Sequence, residues 1–328
     1  DSEFFGKLVE EEASDFTEFV RFMFKMCRRN RYRKIKEELF MPRFTDEGYY
    51  THNFKYVSTI ETFIYRSISP YDSNGKMFNL AGKPNMISNT AKFMSESFET
   101  DLPTLAPSRT LFSFVNGVFS ADQNIFYPYS SDPDHAHSSS DLDVNMVSCK
   151  YFDQVFEYKQ YIQQTQDGGS ALNINTPSCQ TILDVQHFSP EVCKWAYAAI
   201  GRLIFQVNEM DSWQFFPFFK GVAGTGKSTF LNLASTFYNA RDVGSLMSEG
   251  SRNFSIEHIY NKYVFFCMDV DSKMTLSQTR WNQMVSGEEM AINRKFKIAH
   301  QMEWTVTGAF AGNTYPPWVD QSGNVSRR

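Results

Sequence analysis

Cysteine is scarce and scattered. The five thiols, Cys27, Cys149, Cys179, Cys193 and Cys267, have no paired short spacings, so neither a zinc framework nor a disulfide scaffold is indicated and a reducing compartment is the expectation. Long apolar runs are missing too. The longest, Trp195 to Val207, carries Arg202 in its middle and falls short of the ~20 residues of a membrane span, so a soluble chain with no membrane partner is expected. Nor is positive charge in excess. With 32 Lys+Arg against 37 Asp+Glu the formal charge is −5, and any nucleic-acid contact must be local. No charged-then-apolar leader is visible, and a chain running from Asp1 to Arg327-Arg328 reads as an excised segment. Apolar and aromatic residues are what it has: 328 residues, 42% hydrophobic and 16% aromatic, suit about two domains with cores of their own.

Charge divides the first forty residues. Asp1 to Val20 holds seven acids and one lysine, Arg21 to Lys36 eight basic residues and no acid. Across both blocks Phe16, Phe19, Val20, Met23, Phe24 and Cys27 fall at the spacing of one helical face. Arg21, Lys25, Arg28 and Arg29 are then turned to solvent, as a solvated face or one that meets phosphates. Residues 1–48 are read as this charged helical segment and 49–175 as a smaller mixed α+β domain. Within the latter, Glu61 to Ile68 is helix-like. Leu111 to Ser120 reads as a hairpin, since Asn116-Gly117 lies between apolar runs and both residues tolerate positive φ. Ser130 to Asp141 and Gln163 to Ser178 read as long surface loops, the domain boundary lying in the second. His135 and His137 lack a ligand-spaced partner and belong to the first loop rather than to a metal. Ser189-Pro190-Glu191 starts a helix whose stripe of Val192, Trp195, Ala196, Ile200, Leu203 and Ile204 is expected to face a core. From Asp211 the pattern alternates strand, glycine-rich loop, helix and strand, the signature of a parallel sheet, and 176–328 is read as an α/β domain.

That domain carries the chemistry. Gly221-Val222-Ala223-Gly224-Thr225-Gly226-Lys227-Ser228, followed by Thr229, has the spacing G-x-x-x-x-G-K-[ST] of a Walker A loop between an aromatic strand and an amphipathic helix. Gly221, Gly224 and Gly226 let successive amides converge on one anion, and the helix N-terminus adds its positive end. ATP with Mg2+ is the expected ligand: Lys227 against the β/γ-phosphates, Ser228 on the metal, Thr229 as a secondary phosphate contact. Tyr263 to Ser272 reads as a buried strand neighbouring the loop's own strand and ending in Asp269 and Asp271. Asp269 is the candidate for the Mg2+ site, and Asp271, two residues on and so on the same strand face, for orienting or deprotonating the attacking water. A further strand, Trp304 to Gly312, ends in Asn313, suited to the γ-phosphate or the lytic water. Arg327 and Arg328 are candidates for an arginine finger.

The order of these features resembles that of superfamily 3 helicases: phosphate loop, Asp-ended strand, Ser286 to Lys297, Asn-ended strand, Arg pair. Leu183 to Thr229 and Phe114 to Tyr129 narrow the resemblance, which covers roughly 50–328, to the primase-helicase NTPases of poxviruses, large DNA viruses and some phages. The resemblance implies an AAA+-like P-loop NTPase core with a parallel sheet, preceded by the smaller mixed domain and the N-terminal amphipathic helix. It also implies a replicative DNA helicase of viral replication sites in host cytoplasm or nucleus, assembled as a homo-hexameric ring on single-stranded or forked DNA and working with other replication proteins such as a DNA polymerase. A hairpin bearing Arg294, Lys295, Phe296 and Lys297 would line the channel, charge meeting phosphate and the ring meeting bases, and Arg328 is the favoured finger. Two departures stand out. Met268 replaces one of the adjacent acids many members carry, displacing the second acid to Asp271, and no primase metal-binding carboxylates are offered, so no priming is expected. The part of the ATPase domain beyond the finger is also missing. The alternatives are a ring ATPase that packages DNA or remodels protein without strand separation, a ring module that nucleotide only cements, and an RNA helicase of the same superfamily, which the DNA-virus match outside the motor disfavours.

Overall fold

The computed structural model describes residues 16–68, 84–130, 136–166, 176–246, 256–270, 274, 276–292, 300–316 and 318. The chain divides into two compact units, Asp1–Phe156 and Glu157–Arg328. No helix among the described residues is long and apolar enough to cross a membrane.

In the first unit the amphipathic stripe becomes helix α1 (Phe16–Arg29). Phe19, Val20, Met23, Phe24 and Cys27 are buried, joined by Phe22, and they pack with Ile60, Phe63, Ile64, Ile87 and Met94 of α2 (Ile60–Ile68) and α3 (Pro84–Glu96). Arg21, Lys25, Arg28 and Arg29 are exposed, and Arg28 pairs with Asp101 at 3.3 Å. Lys34 departs from this pattern. It lies on β1 (Arg33–Ile35) with 2% exposure, and its Nζ donates to the carbonyls of Met94 at 2.5 Å, Ser95 at 3.1 Å and Ser97. Helix ends leave carbonyls without intrahelical partners, so this one of the eight cations caps α3, and burial lowers its pKa from the ordinary lysine value.

Strand β1 joins β2 (Glu38–Phe44) and β3 (Tyr50–Thr59) in an antiparallel sheet. A second sheet is built from β4 (Ala106–Ser113), β5 (Gly117–Ser120), β6 (Ile125–Pro128) and β7 (Met146–Tyr151), in the order β6-β5-β4-β7. The Asn116-Gly117 hairpin forms, Phe112 facing Phe119, but for a different reason from the one expected: neither residue has positive φ. Gly117 sits where a Cβ would lie 2.5 Å from the Phe126 ring and 2.6 Å from the Tyr127 carbonyl. The Asn116 amide acts as a surrogate strand, donating to Phe156 O at 3.1 Å and accepting from Phe156 N at 2.9 Å. Gly117→Ala should therefore cost about 1–3 kcal/mol through overpacking, read from the urea midpoint; an unchanged midpoint would mean that the ring and carbonyl yield freely.

The expected loops are partly ordered. Helix α4 (Tyr158–Gln166) takes the start of the second and α5 (Pro177–Asp184) its last residues. In the first, Ser139–Asp141 is a short 3-10 turn capped by Ser138. His137 lies 3.9 Å from Asp141, no cluster of metal-ligating side chains occurs among the described residues, and His135 lies outside them.

In the second unit α6 (Pro190–Arg202) begins as read, with Ser189 Oγ accepting from Val192 N at 3.4 Å. Its stripe does not simply face a core, however: Ala196 and Leu203 are buried, but Val192 is 45% and Trp195 53% exposed. Then follow β8 (Phe218–Lys220), α7 (Lys227–Ser235), β9 (Val243–Ser245), β10 (Val264–Val270), α8 (Gln278–Ser286), β11 (Glu289–Ile292), β12 (His300–Glu303) and β13 (Thr307–Gly312). Strands β8, β13, β10 and β9 form a parallel sheet in that order. The Asp-ended strand β10 is thus not the neighbour of β8, as expected; β13 lies between, Phe310 pairing with both Phe218 and Cys267. All six β13 residues, Thr307 included, are buried whereas Asp269 of β10 is exposed, and β13 and β10 take the two inner places of the sheet, β13 with both faces covered. Around its Phe310 the rings of Phe216, Phe265 and Trp281 gather, most pairs edge to face with centroids 4.7–5.6 Å apart and Phe216 stacked on Phe310 at 6.2 Å.

Candidate functional site

Parallel strands deliver their C-terminal ends to one edge, and the helix after each strand starts there. At that edge the chain leaves Lys220 and passes through 221–226 into α7. Gly224 and Gly226 have φ of +81° and +82°, a left-handed conformation that glycine adopts without steric cost. Gly226 is the N-cap of α7. Having no side chain, it leaves the first-turn amides without the side-chain acceptor of an ordinary cap, the arrangement in which a helix N-terminus receives an anion. The loop is braced from within: Thr225 Oγ1 donates to Val222 O at 2.9 Å, and Lys227 Nζ donates to Gly221 O and Val222 O, both at 2.8 Å.

The third bond of Lys227 leaves the loop. Its Nζ donates to Asn313 Oδ1 at 3.1 Å, joining the loop lysine to the residue just past β13. Gly312, which the sequence reading passed over, makes the junction possible: its carbonyl accepts from Gly221 N at 3.3 Å, and a Cβ on it would lie 2.7 Å from Val270 O. Because Val270 pairs with Gly312, Asp269 stands on the next strand at the same edge, exposed. Val222, Ala223, Gly224, Ser228 and Thr229 are exposed there too, whereas Gly221, Thr225, Gly226 and Lys227 are half-buried.

The remaining candidates, Asp271 among them, fall outside the described residues. Strands β11 and β12 pair antiparallel, Ile292 opposite His300. Arg294, Lys295, Phe296 and Lys297, which fall between them in sequence, lie outside the described residues, as do Arg327 and Arg328.

Two charged residues beside the loop carried no motif. Arg202, at the end of α6, holds Asp211 with two bonds, Nε to Oδ2 at 3.0 Å and Nη2 to Oδ1 at 3.1 Å. Nη2 also donates to Trp213 O at 2.7 Å, and the guanidinium lies 4.7 Å from the Phe215 ring centre. Burial works to raise the Asp211 pKa, but hydrogen bonds from Arg202 and from Trp213 N–H outweigh it and the carboxyl stays below its ordinary value. The pair ties the stretch leading into β8 to α6. The only sequence signal for it was a cation interrupting an apolar run.

A family model described as "Family of unknown function (DUF5906)" matches residues 219–328, which contain the loop, β10, the β11–β12 pair and Asn313. No curated protein matches the chain. Among solved structures, the A-form apo structure of the NrS-1 C-terminal region aligns over 84% of this chain and 54% of its own at 10% identity, with a TM-score of 0.36. A second A-form apo structure of that region aligns over 85% and 55% at 12% identity, with a TM-score of 0.37. The chain spans about half the length of these structures.

Proposed function

We propose that the second unit is a P-loop NTPase of AAA+ type that hydrolyses ATP with Mg2+, and that the chain is the motor segment of a viral replicative DNA helicase of superfamily 3. One observation carries the reading: a lysine ammonium at the start of a glycine-capped helix, held between its own loop and the amide that ends the neighbouring parallel strand.

On binding, Lys227 exchanges the Gly221 and Val222 carbonyls for phosphate oxygens, which accept from an ammonium more strongly. The first-turn amides of α7 and Thr229 hold the remaining oxygens. Ser228 and Asp269, exposed oxygen donors at one sheet edge, match the hard ligands Mg2+ prefers and would hold it; the ion supplies charge neutralisation to the phosphates. Asn313, released by Lys227, orients the γ-phosphate or the attacking water, and Asp271 is the candidate base. Arg328, or Arg327, from a neighbouring copy stabilises the charge that develops on transfer, which makes a ring, on this reading a homo-hexamer, the working form. Arg294, Lys295, Phe296 and Lys297 follow single-stranded or forked DNA by phosphate contact and stacking, and a DNA polymerase is the expected replication partner.

The test separates motor from mere NTPase. Lys295→Ala/Lys297→Ala should lose DNA stimulation of hydrolysis and strand displacement by about tenfold or more, with basal turnover kept. Unchanged unwinding of a forked duplex would remove strand separation and leave a packaging or remodelling ATPase. Tight ATP binding without phosphate release would leave a ring module that nucleotide only cements.

A further inference from the structure

The cavity that begins at the glycine-rich loop continues well past it. It holds about 680 Å3, with Gly221, Thr225, Gly226 and Lys227 at one end and α5, α6 and the stretch 211–219 around the rest, within the ~300–1,000 Å3 of small-molecule sites. Its walls explain the stripe of α6. Val192 and Trp195 follow the spacing of core residues yet stay 45% and 53% exposed, because the face they share with Ala196 and Ala199 borders this space. Against Trp195 packs Trp213, 54% exposed, its ring 5.6 Å from that of Trp195 at 35°. Two half-exposed indoles beside a floor of alanines leave flat apolar surface within reach of the phosphate loop.

We propose that this cavity receives the purine ring of the nucleotide whose phosphates the loop holds, and that it grips the base by its faces, admitting adenine and guanine nucleotides alike. The proposal rests on the reading of 221–229 as a triphosphate loop. Continuity identifies the occupant, since the loop's own residues line one end of the space. The polar inventory sets the selectivity. Arg202 and Asp211 are engaged with each other and with the backbone of Trp213, the Lys220 ammonium lies over the Tyr315 ring at 4.1 Å and Thr225 Oγ1 donates to Val222 O, so their polar groups are directed to the protein. Gln186 supplies the one side-chain amide among the described lining residues, and an amide can turn either its donor or its acceptor toward a ring edge. Adenine and guanine, whose edges differ in donors and acceptors, are therefore not told apart, whereas a pyrimidine offers less surface to stack.

Dissociation constants of the full chain with Mg2+ for ATP, GTP, UTP and inorganic tripolyphosphate test this in the wild type and in Trp195→Ala, Trp213→Ala and Lys227→Ala. ATP and GTP should bind within about threefold of each other and UTP about tenfold more weakly; each tryptophan variant should weaken both purine nucleotides about tenfold and leave tripolyphosphate unchanged. Lys227→Ala should weaken all four. Tryptophan variants that bind ATP and GTP normally, beside a Lys227→Ala that does not, would overturn the base site while sparing the phosphate loop. ATP bound more than about tenfold tighter than GTP would overturn recognition by faces. Unchanged binding in Lys227→Ala would overturn the phosphate reading itself, and the base site with it.

Discussion

Lys227→Ala is expected to reduce ATP turnover by about a hundredfold or more while leaving the protein folded. The ammonium is bonded at once to the loop, through Gly221 O and Val222 O, and to Asn313 just past the next strand. In hydrolysis it would follow the negative charge on the phosphates, where a fixed cation in a partly dehydrated site counts most. Its loss should cost little stability, since the orphaned acceptors are loop carbonyls and an exposed amide that water can reach. Lys227→Arg should also be impaired, because a planar fork does not replace a compact ammonium in a site built for one. Phosphate release read beside the far-ultraviolet circular dichroism spectrum and the urea midpoint checks this. Full turnover in Lys227→Ala would end the catalytic assignment.

Phe310→Ala should lower the stability of the second unit by about 3–5 kcal/mol, the range for a buried aromatic truncated in a core. Phe310 is fully buried on β13, an inner strand of the parallel sheet. Its ring meets Trp281 at 4.7 Å, Phe265 at 5.6 Å and Phe216 at 6.2 Å, so truncation opens space that three rigid rings cannot close together. Against a total of about 5–15 kcal/mol for a typical domain, such a loss brings the unit near its unfolding threshold. Asn313 lies three residues further along the same chain, so nucleotide affinity should fall as well. Saturating ATP should recover part of the midpoint if the site still forms. Equilibrium urea unfolding reads the main effect, and a change below about 1 kcal/mol would mean that the core centres elsewhere.

Local features were legible in the residues, and particular positions show why. The stripe of α1, the Ser189 cap, the glycines of 221–226 and the strand ending at Asn313 all rest on spacing or backbone freedom within a few residues of one another. Other outcomes were not legible, because distant parts of the chain compete. Gly117 was assigned to a turn conformation, but what demands a glycine is the ring of Phe126 and the carbonyl of Tyr127 packed against it. Lys34 belongs to a basic run and yet is buried, because the end of a helix sixty residues away offers it carbonyls. Val192 and Trp195 carry a core pattern and face a cavity instead.

The amino-acid sequence alone therefore determined where helices begin, where the loop 221–226 needs glycine and which strands end in an acid or an amide, since these follow from short-range geometry. Only the tertiary structure decided that β13 separates β8 from β10, that Lys227 meets Asn313, and that an aromatic-walled space opens beside the loop. Those outcomes depend on which surfaces find each other across distant stretches of chain, such as the 86 residues between Lys227 and Asn313, and the burial that selects among them has no counterpart in local spacing.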